Sequence, residues 1–269
     1  MKYSTDYTPI EMMIVATSRE IENGQVLMVG TQWPIIATLF AKKTHAPDIT
    51  ICYEGGVILE SVPERPPLFT GDPCVASNAV LLNDSLDTLG MILHAGRPDI
   101  AFLPAANVDR YGNINTTCFG DYSSPKFRLG GSGGGCDFGS LTKRLITMLE
   151  HERQRFPERV DFITTPGYLN GSDSREEAGL RPGTGPDAVI TTLGVFRFEK
   201  DTREMYLDTY YPGGSIEEVK DGFQWDIIIS KDVTVADPPT EEEIRILREE
   251  IDPNGMYLKD NKEKVISQL

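Results

Sequence analysis

Apolar positions along the first part of the chain recur in two alternating rhythms. Thr8-Pro9-Ile10-Glu11 forms a capping box with proline at the first helical position. Ile10, Met13, Ile14 and Ile21 then follow at roughly helical spacing, and Asn23-Gly24 is a helix stop. The short apolar run 26–29 predicts a strand closed by Gly30. Ile35, Ile36, Leu39 and Phe40 mark a second helix, and the run 49–53 a second strand. Residues 8–54 therefore read α-β-α-β. A crossover helix between two short apolar strands implies that they pair in parallel.

The rhythm continues. Leu81, Leu82, Leu86, Leu89 and Leu93 predict a helix ending at Gly96, and 100–103 a buried strand. Leu141, Leu145 and Leu149 predict another helix, and 160–163 another strand. The second half changes character. Short strands are expected at 189–192, 195–198 and 205–207, with 200–203 as a hairpin connection, and one more strand at 226–229. Thr240-Glu241-Glu242-Glu243 is a second capping box, opening a C-terminal helix through Ile244, Ile246 and Leu247 that Asp252-Pro253 stops. No internal repeat and no linker-like stretch divides the chain. The expected fold class is α/β: an open, mostly parallel sheet flanked by helices, with an added antiparallel strand layer in the C-terminal half, in one domain over residues 1–269.

Composition narrows the function. Hydrophobic content of 39% and charged content of 25% suit a folded soluble protein. A net charge of -15 argues against nucleic acid as a partner, which needs a basic face. An anionic ligand would need backbone amides or a few local basic residues. Cys52, Cys74, Cys118 and Cys136 form no C-x-x-C pair and no metal-type cluster with the three histidines. They are expected to be reduced thiols in a cytoplasmic protein, and no metal site is expected. The N-terminus lacks the apolar core of a signal peptide, and no run approaches the ~20 apolar residues of a membrane span.

The first candidate for chemistry is Glu54, which ends an apolar strand and is followed by Gly55-Gly56. A charge there is costly unless something uses it. In open α/β sheets that position faces the ligand crevice, so Glu54 is a candidate nucleophile or base; the alternative is a cap for a neighbouring helix. The second is the run Gly130-Gly131-Ser132-Gly133-Gly134-Gly135. Its free amides could form an anion-binding nest, or it could be a flexible surface loop. It is not a phosphate-binding P-loop, because Cys136-Asp137 stand where Gly-Lys-Ser/Thr would be needed. It contains G-x-S-x-G, but a hydrolase triad would have to recruit His151, the one later histidine. The third candidate, 109–115, clusters Asp, Gly and Asn as a tight turn does, with side chains bonded to their own backbone. The residues by themselves go no further than an α/β enzyme with an anionic nucleophile or base and a glycine amide nest.

Taken together, Tyr53-Glu54-Gly55-Gly56, the 108–115 stretch and Gly131-Ser132-Gly133-Gly134 resemble the β subunits of the family I coenzyme A transferases, its glutaconate branch most of all. The likeness spans nearly the whole chain and includes Thr165-Pro166-Gly167 and Tyr210-Tyr211-Pro212. It implies that Glu54 attacks an acyl-CoA thioester and carries CoA as a glutamyl thioester, with ping-pong kinetics. A carboxylate is ordinarily ionised at neutral pH, so such chemistry needs no general base. The resemblance also implies that amides of Gly133, Gly134 and Gly135 form an oxyanion hole or CoA-binding site. Gly55, Asn113, Asn115, Ser132 and Cys136 would line the substrate pocket. Lys126 and Arg128 would either meet CoA phosphates or stay solvated. No tightly bound cofactor is implied; the coenzyme A thioester is a substrate. The implied partners are a separate α subunit, an acyl-CoA and a small carboxylic acid, with neither nucleic acid nor membrane. Gly135-Cys136-Asp137 depart from the family's usual continuation, which bears on pocket shape. A related decarboxylase branch carries cysteine in place of the glutamate, so the presence of Glu54 points away from it. A CoA-ester hydrolase or lyase of ring-degradation catabolism, sharing the 109–115 type of motif, stands as the alternative.

Overall fold

The computed structural model describes residues 2–258; the expected single domain of 1–269 extends beyond them at both ends. Helix α1 (Pro9–Ser18) begins at the Thr8 capping box, with Glu11 N–H donating to Thr8 Oγ1 and Thr8 N–H donating to Glu11 Oε2. Strand β1 (Val26–Val29), α2 (Trp33–Lys43) and β2 (Thr50–Tyr53) follow in the expected order, and β1 and β2 pair in parallel.

One ten-stranded sheet organises the molecule. Its remaining strands are β3 (Val57–Leu59), β4 (Ala79–Leu82), β5 (Ile100–Pro104), β10 (Arg144–Leu149), β11 (Pro186–Thr191), β12 (Gly194–Phe198), β13 (Met205–Tyr210) and β14 (Ile228–Val235). The order is β14-β13-β12-β11-β10-β5-β1-β2-β3-β4. Only β3 and β12 run against the others. The sheet is thus open and mostly parallel, and the antiparallel strands of the C-terminal half extend it in the same plane. Four two-residue strands, β6 (Asn107–Val108), β7 (Ile114–Asn115), β8 (Cys118–Phe119) and β9 (Phe127–Arg128), form two small ribbons outside it. Three short helices, α3 (Gly135–Leu141), α4 (Ser174–Glu177) and α5 (Ile216–Asp221), lie in the connections of the later strands.

Both faces of the sheet are covered. On one, Met13, Ile36, Leu39 and Phe40 of the first two helices meet Ile51, Phe102, Ile146 and Ile190. On the other, Leu93, Phe138, Val219 and Phe223 pack on Met28, Ala101, Leu145 and Val189. Adjacent β10 residues serve opposite faces, so the strand is buried from Leu145 to Leu149, as parallel strands covered on both faces are.

Three predicted elements take other forms. The helix expected through Leu81–Leu93 is confined to Leu86–Leu93, where it winds as a π-helix; Leu81 and Leu82 belong to edge strand β4. The helix expected from Leu141, Leu145 and Leu149 is instead the end of α3 followed by β10. A spacing of four is close to one helical turn, but it is also two strand repeats, so Leu145 and Leu149 share a strand face equally well. The 160–163 segment is irregular: Asp161 carboxylate accepts from Gly120 N–H at 2.8 Å, and Ile163 is exposed.

The C-terminal capping box is also present, with Glu243 N–H donating to Thr240 Oγ1 ahead of α6 (Glu241–Arg245). The π-helical turn after it carries Arg248 back to α1. Its Nε and Nη2 donate to Glu11 Oε1 and Oε2 at 2.6 and 2.9 Å. Glu11 is only 2% exposed, so removing the arginine leaves a buried carboxylate without its cation. Arg248→Ala is expected to lower stability by about 2–3 kcal/mol, read as a fall in the urea midpoint. A midpoint unchanged from the parent would show that the pair is energetically idle.

Candidate active site

Strand β2 ends at Tyr53, which is fully buried, and the next residue is Glu54, half-buried at the sheet's carboxyl edge. Strands β1 and β5, the point from which the chain builds the sheet in both lateral directions, lie immediately alongside. Gly56 then turns the chain at φ +105°, with Asn83 N–H donating to its carbonyl at 2.8 Å. A Cβ on Gly56 would stand 2.0 Å from Asn83 O, so this glycine serves the approach of the chain to itself. Gly55 is exposed, and the nearest atoms to a Cβ there are 3.8 Å away.

The glycine run meets Glu54 from the opposite side. Gly134 N–H donates to Glu54 Oε2 at 3.1 Å, which is the one side-chain hydrogen bond of Glu54 among the described residues. No ion pair among those residues involves Glu54, so the carboxylate is oriented but not neutralised. The contact is close: a Cβ on Gly134 would lie 2.6 Å from Oε2 and 3.3 Å from both Leu89 and Phe138. A Cβ on Gly133 would lie 3.6 Å from Oε1. Gly133 adopts φ +50°, the left-handed conformation that glycine takes without strain. The run is therefore not a free surface loop. Gly131 N–H donates to Thr116 O, and Thr116 Oγ1 donates back to Gly131 O, both at 2.8 Å.

Two neighbouring amides are committed within the chain. Gly135 N–H donates to Ser132 O at 2.8 Å, and Cys136 N–H to Ser132 Oγ at 3.0 Å. Beside Glu54, the Gly134 N–H is directed at the carboxylate itself, whereas the Gly135 N–H is turned to Ser132 O. Ser132 caps the start of α3, which is not the work of a nucleophile. His151 does not approach it. Its Nε2–H donates to Val219 O at 2.9 Å, which leaves Nδ1 to accept from Thr191 Oγ1 at 3.2 Å. No hydrolase triad forms among the described residues.

Asn113 and Asn115 are placed differently from the pocket-lining role expected of them. Both are fully buried. Asn113 Nδ2 donates to the Asp109 carboxylate and to Leu169 O, while its Oδ1 accepts from Gly167 and Leu169 N–H at 2.9 and 3.1 Å. Asn115 Nδ2 donates to Cys118 O at 2.7 Å, and its Oδ1 accepts from Thr117 N–H at 2.9 Å. Both side chains are thus hydrogen-bonded within the protein. The 109–115 stretch is a buried knot that braces the 164–169 turn. Burial pushes the Asp109 carboxyl up, and donation from Asn113, Tyr111 and Val160 opposes that rise.

Cys136 is exposed beside the run and donates its thiol to Asp137. Arg128 sits over the Tyr122 ring, 4.5 Å from its centre, and donates to Tyr122 O; Lys126 is exposed. Leu89, Phe138 and Thr165 complete the surroundings of Gly134 and Gly135. In the sequence Leu89 marks only a helix face and Phe138 carries no signal, because an apolar residue that lines a site has the same pattern as one that fills a core. No helix of the described residues is long and apolar enough to cross a membrane. Among them, no group of three or more His, Cys, Asp or Glu could hold a metal.

His151 also yields a pH prediction. Burial among Phe156, Phe196 and Phe223 lowers its basicity, against the hydrogen bond to Val219. The unfolded chain therefore takes up a proton here near pH 6.5, before the folded one does. Stability is full above that pH and is lost as pH falls towards the lower folded value. Thermal melting between about pH 7.5 and about pH 5 should show a shallower acid decline for His151→Gln than for the parent. Equal slopes would refute the assignment.

An open α/β sheet that delivers a half-buried carboxylate, without an ion-pair partner among the described residues, to the amide of a glycine turn has the arrangement of an enzyme that works through an anionic side chain. The family signature of the coenzyme A transferases matches residues 10–222, and the chain belongs to that family. It is 36% identical over 261 residues to one subunit of the glutaconate CoA-transferase of Acidaminococcus fermentans, covering 94% of this chain and 96% of the relative. It is 38% identical over 242 residues to one subunit of the 3-oxoadipate CoA-transferase of Pseudomonas knackmussii, covering 90% and 92%. The crystal structure of glutaconate coenzyme A-transferase from A. fermentans superposes with a TM-score of 0.89 at 35% identity, over 96% of this chain and 100% of the other.

Proposed function

We propose that this chain is the β subunit of a CoA-transferase that moves CoA between an acyl-CoA and a small carboxylic acid through covalent intermediates on Glu54. The observation that carries the reading is the Gly134 N–H at 3.1 Å from a carboxylate with no cationic partner among the described residues. Glu54 attacks the thioester carbonyl, forming an acyl-glutamyl anhydride as CoA thiolate leaves. The thiolate attacks the glutamyl carbonyl, giving glutamyl-CoA thioester and releasing the first acid. The acceptor carboxylate attacks that thioester, forming a second anhydride and freeing the thiolate. The thiolate takes the new acyl group, and Glu54 is restored. Each step exchanges one acyl bond for another, so no net proton moves. Negative charge on each tetrahedral oxygen would be met by the Gly133 and Gly134 amides.

Both relatives carry the names of dicarboxylates, glutaconate and 3-oxoadipate, which supports a dicarboxylic acid as one substrate. Each is named as one of the subunits of its enzyme, which supports a separate α chain here. So does an exposed apolar surface. Val80, Leu81 and Leu82 on edge strand β4 are 46–61% exposed, and Leu68, Phe69 and Leu86 are exposed too. An uncovered apolar edge strand invites pairing or coverage by another chain. Leu89, on the same π-helix as Leu86, touches the Gly134 position, so this surface borders the site.

The test is chemical. The assembled enzyme, incubated with acyl-CoA and treated with borohydride, should lose its Glu54 carboxyl group to reduction, seen by mass spectrometry of the 54-containing peptide. An unmodified peptide under turnover conditions would reject the covalent route. Release of free CoA without any acceptor acid would reject transfer in favour of hydrolysis.

A further inference from the structure

Arg175, in the short helix α4, is fully buried. Among the described residues, no hydrogen bond of its side chain goes to a carboxylate. Instead Nη1 donates to Pro166 O and Gly167 O at 3.1 and 2.8 Å. Nη2 donates to Gly139 O and Thr184 Oγ1 at 2.7 and 3.0 Å. Burying a guanidinium among neutral acceptors is expensive, and a fold keeps one there only where its fixed fork of donors is needed.

What the fork joins is informative. Gly139 O lies in the last turn of α3, where carbonyls have no partner within the helix. Pro166 and Gly167 belong to the turn on which α3 rests. A Cβ on Gly139 would stand 2.3 Å from Thr165 Cγ2, and one on Gly135 3.1 Å from Thr165 Oγ1. The helix therefore lies on Thr165 along its glycine face, while Phe138 is buried in the core on another face. Gly134, the residue whose N–H reaches Glu54, stands directly before this seven-residue helix. Any shift of the helix along Thr165 moves that amide.

The geometry points to Arg175 as a positioning residue for the transfer reaction: it clamps the C-terminal end of α3 to the 165–167 turn and so sets where the Gly134 amide stands against Glu54. This rests on the roles proposed above for Glu54 and Gly134. Lysine keeps the charge but cannot hold carbonyls from two segments with one planar fork.

The experiment compares Arg175→Lys and Thr184→Val with the parent, each assembled with its partner chain. Arg175→Lys should lower kcat by about 10²-fold, the scale of a misplacement of about 1 Å, with KM for acyl-CoA changed by less than about threefold. Hydrogen exchange should accelerate in 134–141 while the sheet strands keep their protection. Thr184→Val, which removes one acceptor, should show the same split at roughly a few-fold. A purely structural arginine would lower the melting temperature and leave kcat of the folded fraction unchanged. Parental kcat and parental exchange at 134–141 in Arg175→Lys would overturn the proposal, as would an effect confined to KM. Should Arg175→Lys not fold, parental kcat in Thr184→Val would overturn it. The exchange reading does not depend on the chemistry: absence of the Glu54 adduct in the parent would reject the covalent route alone.

Discussion

Glu54→Gln is expected to reduce CoA transfer by roughly 10⁴-fold or more while the protein folds as before. The amide is nearly the shape of the carboxylate and can still accept from Gly134 N–H, so positioning and substrate binding survive. What disappears, on the proposed mechanism, is the anionic oxygen that would form the bond to the thioester carbonyl. The fold has little stake in the charge. Glu54 is half-buried, carries one side-chain hydrogen bond and joins no ion pair among the described residues. The melting temperature should therefore stay near the parent's, and borohydride should find no thioester to reduce. A variant that transfers CoA at even a tenth of the parental rate would remove Glu54 from the mechanism.

Gly134→Ala should be the next most damaging change. The new methyl would arrive 2.6 Å from Glu54 Oε2, inside van der Waals contact, with Leu89 and Phe138 at 3.3 Å blocking retreat. Either the carboxylate or the loop must move, and the donor that would meet the tetrahedral oxygen moves with it. Loss of one such donor costs roughly 10²–10³-fold in kcat. Gly130→Ala is the control from the same run: nothing lies within 4 Å of its Cβ position, and its φ lies outside the left-handed region. Steady-state kinetics of the two assembled variants should differ by at least about tenfold in kcat. Equal activities would mean that the run acts only as a flexible tether.

Much of the site was legible in the residues alone. A charged residue closing an apolar strand is a local anomaly, and Glu54 was visible as one. The glycine run was equally conspicuous, and its mixture of open and crowded positions explains why pattern alone left nest and loop as equal readings: Gly130 is free while Gly134 is pressed against Glu54. The asparagines of 109–115 show where resemblance led away from geometry. Read from the residues, they predicted a turn bonded to its own backbone, and Asn115 is just that. Read from the family, they suggested a pocket, and in the structure both side chains are buried. Arg175 left no trace in the sequence. It stands in a polar stretch where an exposed arginine would be ordinary, and only long-range packing places it among the largest fully buried side chains of the described residues.

The residue order alone determined that helices and parallel strands alternate, that capping boxes open α1 and α6, and that a carboxylate stands at a strand's carboxyl end. These are consequences of spacing and of local hydrogen bonding, which a short window contains. Only the tertiary structure decided that Leu145 and Leu149 belong to a strand, because a four-residue interval satisfies both periodicities until neighbouring strands choose between them. It alone brought residue 134 to residue 54, since nothing within either segment encodes the distance between them.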